Sequence, residues 1–149
     1  MPTVRLTRLY RFSASHRLHA PALDAEANRA IYGKCNNPFG HGHNYTVELS
    51  VVGEVEPRSG RLVSLAALDA LAREAILEPF DRRDLNLEVP EMKSLVPTTE
   101  NLAEVLAGRV AGLWRRHFEG SRVTFEKLRV WETARNIFQV SAPEVSSCR

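Results

Sequence analysis

His41 and His43 flank a single glycine in Gly40-His41-Gly42-His43, at the entry to a stretch that alternates apolar and polar residues. In a strand, residues two apart project from one face, so both imidazoles leave the backbone side by side. That face continues into Tyr45 and Val47, residues suited to a core. Two unpartnered polar rings there would cost about 1–3 kcal/mol each. Gly40 and Gly42 remove side chains around the pair and permit close backbone approach. His16 ends another alternating stretch on its apolar parity and adds a third nitrogen if the two strands are neighbours. Three histidines on a rigid sheet, with a fourth position for water or substrate, make an open zinc site. The competing reading is a set of hydrogen-bonded core histidines, and His19 and His117 are assigned to it because neither has a partner at ligand spacing.

The elements that must position these residues follow from periodicity. Residues 4–14 read as a strand, with Val4, Leu6, Tyr10, Phe12 and Ala14 on one parity. Residues 19–40 are rich in turn formers and read as a long loop, which in a compact domain is usually functional. A strand is expected from His41 to about Val55, then a hairpin turn at Pro57–Gly60, with Arg61–Val63 pairing back. The stripe Leu65, Leu68, Leu71, Ala75 and Ile76 predicts a helix over 64–78, ended by Pro79. A second loop spans 79–97, and a second helix starts near Thr98 with the stripe Leu102, Val105, Leu106, Val110, Leu113 and Trp114. Two strands, 122–132 and 136–141, close the chain around a turn near Ala134. The order predicts an α+β domain, a four-stranded antiparallel sheet with two helices on one face. A single domain over 1–149 is expected, with about 143–149 a flexible tail.

Of the 149 residues, 44% are hydrophobic and 26% charged, the profile of a soluble globular domain. A net charge of +2 is too small to imply nucleic acid, and no apolar run is long enough for a membrane span. The N-terminal segment alternates charged and apolar residues, unlike a signal peptide. With only Cys35 and Cys148, free thiols in a cytoplasmic protein are expected.

The phrases FSASHRLHAP (12–21) and YGKCNNPFGHGHNY (32–45) resemble the 6-pyruvoyltetrahydropterin synthase family. GEVEP (53–57) with Gly60, PFDRRDLNLEVP (79–90), PTTEN (97–101) and VWETARNI (130–137) fall in the family's order and spacing. The resemblance implies the tunnelling fold, in which three subunits close their sheets into a barrel and two trimers stack as a homohexamer. It implies a zinc-dependent carbon–oxygen lyase that converts 7,8-dihydroneopterin triphosphate to 6-pyruvoyltetrahydropterin, as in tetrahydrobiopterin biosynthesis. Its metal ligands carry over to His16, His41 and His43, and its thiol base to Cys35. A thiolate near a metal and cations has a depressed pKa and can take a proton. Glu132 matches the carboxylate that holds the pterin edge by paired N–H bonds. Thr98, Thr99 and Glu100 match a segment lining the pterin pocket, although a plain helix cap accounts equally for either threonine. Arg17 and Lys34 are the candidates for the triphosphate. In relatives the active site lies between subunits.

One position departs from the family. The residue after the aspartate matching Asp81 is a histidine in relatives, and that pair works with the thiol in proton transfer. Here it is Arg82, whose guanidinium does not deprotonate near neutral pH. Either Arg82 pairs with Asp81 and stabilises the Cys35 thiolate by charge, or another group such as His19 takes the proton, or the pocket binds pterin without turnover. The first is favoured. The nearest rival activity is 6-carboxytetrahydropterin synthase of the deazapurine (queuosine) pathway, which releases acetaldehyde. The five residues NNPFG between Cys35 and His41 favour the pyruvoyl-forming branch. A third, aldolase-like variant replaces the thiol with a carboxylate, and Cys35 argues against it.

Overall fold

The computed structural model describes residues 2–144; residues 145–149 of the expected tail, with Cys148, lie outside the described residues. Strand β1 (Thr3–His16) pairs along its whole length with β2 (His41–Glu54), antiparallel. β2 pairs with β4 (Thr124–Trp131), and β4 with β5 (Ile137–Ser141), both antiparallel. The short β3 (Arg83–Asp84) adds to the outer edge of β1 in parallel, giving the order β3-β1-β2-β4-β5. The sheet is therefore open and five-stranded, not the four-stranded antiparallel sheet expected. A two-residue strand inside a charged loop has no periodicity to reveal it.

Alternation sets the faces. Phe12 and Ala14 of β1, Tyr45, Val47, Leu49 and Val51 of β2, and Leu128 and Val130 of β4 are buried on one side. Two helices cover them. The first, α2, begins at Leu65–Ala72 with Ser64 capping Ala67 N, runs through a π turn at Arg73–Leu77, and ends at Glu78–Phe80. It thus continues past Pro79, where a stop was expected. Proline cannot donate to the carbonyl four residues back, and the Ala75 carbonyl instead accepts from Arg109 Nε at 2.8 Å. The second, α3 (Thr99–Phe118), buries Leu102, Leu106 and Val110 and is capped by Thr98 Oγ1, which accepts from Asn101 N.

A third helix corrects the reading of 19–40 as loop. Helix α1 (Ala25–Tyr32) is capped by Asp24 and closed by Gly33 in the left-handed region. It buries only Asn28, so it lacks the apolar stripe that periodicity detects. Residues 61–63 form no strand; Glu56 N donates to Arg61 O, and Leu62 and Val63 pack against the core. No helix of the described residues is long and apolar enough to cross a membrane.

Candidate functional site

The β1–β2 register places His16 directly opposite His41, and Ala14 opposite His43. All three imidazoles meet at one end of the sheet, with ring centroids 4.8–5.1 Å apart and one ligand nitrogen from each within 4.8 Å of the others. Gly40 is required here. It adopts φ +70°, and a Cβ would come within 3.0 Å of the His16 carbonyl oxygen.

The surroundings prepare these rings as ligands. His16 Nδ1 lies 2.8 Å from the Pro97 carbonyl, so Nδ1 carries the proton and the Nε2 lone pair faces His41. Burial lowers the His16 pKa, and the neighbouring imidazoles add to the effect. Burial likewise lowers that of His43, against the pull of Glu132. Both rings are therefore neutral at pH 7. His43 Nε2 is buried without a hydrogen-bond partner; the Glu132 carboxylate at 3.6 Å is too far to bond it. An orphaned imidazole nitrogen facing two others is what a metal-ligand set requires.

Cys35 is held beside this cluster by a latch of local bonds. Its carbonyl accepts from Leu18 N at 2.8 Å, and Asn36 Nδ2 donates to Leu18 O and to His19 Nδ1. Arg17 Nε reaches the Asn36 carbonyl at 3.2 Å. Asn86 clamps the Arg17 backbone from the other side, accepting from its N–H and donating to its carbonyl. Among the described residues the Cys35 thiol is free, and it is part-buried. Its pKa is raised by burial and by the negative charge of Glu132. The depressed pKa expected for a thiolate base is thus not supplied within one chain, where burial and then the charge of Glu132 both push the thiol up.

Thr98, Thr99 and Glu100 lie at the start of α3, immediately after the carbonyl that holds His16. Thr98 is the cap, Thr99 is buried and Glu100 is exposed. The hydroxyls of Thr99 and of Tyr45, whose ring packs on His43, are both buried without a well-formed hydrogen bond. Burial, with Glu132 nearby, raises the Tyr45 pKa. Behind the histidines is therefore a small polar layer that the sequence did not reveal.

Asp81 and Arg82 sit elsewhere. Asp81 Oδ1 accepts from Ser13 N at 2.9 Å, and Arg82 N donates to Ser13 O at 2.6 Å, on the edge of β1 away from β2. Arg82 adopts φ 59° and lines a groove of about 400 Å³ with Ser13, Ser15, Asn44 and Glu88. No hydrogen bond joins Asp81 or Arg82 to Cys35 among the described residues. Lys34 is exposed, and with Arg17 it lines a separate cavity of about 260 Å³. One chain thus unites the histidines, Cys35 and Glu132, and leaves Asp81 on the far side of β1.

Residues 5–143 match the family model described as 6-pyruvoyl tetrahydropterin synthase. The human 6-pyruvoyl tetrahydrobiopterin synthase is 46% identical over 99 residues, 66% of this chain and 68% of that protein. The Drosophila melanogaster protein of the same name is 35% identical over 142 residues, 95% of this chain and 82% of its own. The structure of Caenorhabditis elegans 6-pyruvoyl tetrahydropterin synthase superposes with a TM-score of 0.85 at 35% identity, covering 96% of this chain and 98% of that one.

Proposed function

Because this chain belongs to the 6-pyruvoyl tetrahydropterin synthase family, we propose that it is a zinc-dependent lyase acting on 7,8-dihydroneopterin triphosphate. The product is 6-pyruvoyltetrahydropterin, with triphosphate as the leaving group. The observation that carries this reading is the convergence of His16, His41 and His43 with Glu132, whose carboxylate faces His43 at 3.6 Å and bears electrostatically on Cys35.

The three imidazoles would hold the metal. Held there, zinc would supply Lewis-acid chemistry, polarising side-chain hydroxyls and acidifying the adjacent C–H bonds. Glu132 accepts paired N–H bonds from the guanidine-like edge of the pterin and fixes its orientation. Cys35 takes the proton from the acidified carbon, and Thr98, Thr99 and Glu100 line the ring pocket. Arg17 and Lys34 face the triphosphate. Loss of triphosphate and tautomerisation then leave the diketone side chain.

Asp81 and Arg82 join this machinery from a second copy, in a homohexamer built from two trimers whose open sheets close edge to edge. The part of the β1 edge that β3 leaves uncovered, together with the edge of β5, suits that closure, which removes an aggregation liability. In this assembly Arg82 faces Cys35 as a fixed positive charge and offsets Glu132. We place the protein in the cytoplasm, in keeping with a Cys35 that forms no disulfide among the described residues. Arg82 in place of histidine also motivates a second reading, a pterin-binding homologue without turnover.

The test is release of inorganic triphosphate from 7,8-dihydroneopterin triphosphate under anaerobic conditions. Zinc-loaded protein releases it and Cys35→Ala does not. Binding without release in the parent protein sinks the lyase and leaves the second reading.

A further inference from the structure

Arg17, His19, Arg29 and Lys34 all line the cavity of about 260 Å³ between α1 and the turn at Gly33–Asn36, and no carboxylate lines it. Its other walls are Ala25, Gly33, Asn36, Asn37 and Pro38. Among the described residues, Arg17, Arg29 and Lys34 form no ion pair with a carboxylate. Three like charges gathered on one small cavity repel one another until an anion enters.

The cavity is built rather than fortuitous. Asn36 is buried, and its bonds to Leu18 O and His19 Nδ1 tie one wall to the other. Because Asn36 Nδ2 donates to His19 Nδ1, neutral His19 keeps its proton on Nε2 and remains a donor. Arg17 is pinned by Asn86 and by the Asn36 carbonyl. Two of the cavity's cations neighbour the proposed centre along the chain: Arg17 follows His16 and Lys34 precedes Cys35. Arg29 comes from a different element, the last turn of α1, where its charge also suits the helix C-terminus.

We propose that Arg29 is a specificity-determining residue: it completes an anion subsite with Arg17, Lys34 and His19 and selects substrates that carry a phosphate chain over unphosphorylated ones. The inference rests on the pterin-triphosphate reading for the identity of the substrate, and not for the existence of the subsite.

The test uses the zinc-loaded full chain and two probes. Inorganic tripolyphosphate binding is measured by calorimetry, with zinc content checked after each titration, for the parent, Arg29→Ala, Arg29→Lys and the control Arg58→Ala in the hairpin turn. Arg29→Ala is expected to weaken binding about tenfold, Arg29→Lys to recover part of it, and Arg58→Ala to change it less than twofold. With 7,8-dihydroneopterin triphosphate, KM rises about tenfold in Arg29→Ala and kcat falls less; the inhibition constant of unphosphorylated dihydroneopterin, which has no triphosphate to release, does not move. If the parent turns over substrate and Arg29→Ala leaves both affinities unchanged, the subsite is overturned and the lyase stands. If Arg58→Ala weakens binding as much as Arg29→Ala, the effect is general surface charge and the proposal fails. If Arg29-dependent tripolyphosphate binding appears without pterin turnover, the subsite stands and the lyase falls.

Discussion

The Nε2 atoms of His16 and His41 lie 3.2 Å apart across the β1–β2 pair. With the His16 proton on Nδ1, donated to Pro97, a lone pair at least on the His16 side faces the gap. Two nitrogens bound tetrahedrally to zinc at about 2.0–2.1 Å stand roughly 3.3 Å apart, so the chain holds this pair at ligand spacing. His16→Ala or His43→Ala is expected to lower bound zinc from roughly one ion per chain to near none, read by elemental analysis, with the far-ultraviolet circular dichroism retained. Full zinc occupancy in either variant contradicts the assignment.

The histidine geometry was legible because strand alternation dictates it. A His-x-His pair entering a core face and a third histidine on the apolar parity of another strand leave few other arrangements. Other features were hidden for physical reasons. Helix α1 turns an almost wholly exposed surface to solvent and is marked only by Asp24 and Gly33 at its ends. β3 is two residues long and becomes a strand only by docking on β1. The Cys35 thiol is raised by burial and then by Glu132, 97 residues later in the chain, and the Asn86 clamp on Arg17 spans 69. Contacts of that separation leave no local pattern.

Glu132 is expected to serve both substrate and thiol. Loss of a charge-assisted pair of hydrogen bonds costs about 1.5–3 kcal/mol, so Glu132→Gln should raise KM for the pterin by roughly 10- to 100-fold. In the metal-free chain the same change removes the negative charge that raises the Cys35 pKa. Alkylation of Cys35 at mildly alkaline pH therefore becomes faster, since the thiolate is the nucleophile. An unchanged alkylation rate would show that burial alone sets the thiol.

Arg82 combines a left-handed backbone with a position where a proton carrier is expected. Asparagine visits that conformation more readily than arginine, so Arg82→Asn should raise stability by up to about 1 kcal/mol in urea unfolding. Arg82→His should raise turnover and shift the pH–rate profile, because imidazole exchanges protons near neutrality and guanidinium does not. An Arg82→His enzyme slower than the parent at every pH would mean that the arginine does chemistry of its own.

Asp69 ties β1 to α2, accepting from Arg8 Nε at 2.6 Å and from Tyr10 Oη at 2.8 Å. The hydrogen bond from Arg8, helped by Tyr10, holds its carboxyl below the usual value of 3.8. The unfolded chain therefore takes up the proton first as pH falls. The stabilisation is present above about pH 4 and is lost as pH drops through the depressed native pKa. Asp69→Asn should lower Tm at pH 7, with the gap to the parent closing as pH falls below the usual carboxyl value of 3.8. A gap that persists undiminished in acid would assign the effect to packing.

The proposed activity is tested most directly by the identity of the pterin product. Zinc-loaded protein is given 7,8-dihydroneopterin triphosphate without oxygen, and the products are read by mass spectrometry. The expected result is 6-pyruvoyltetrahydropterin with inorganic triphosphate. Formation of 6-carboxytetrahydropterin with acetaldehyde, or unconsumed substrate, would contradict it.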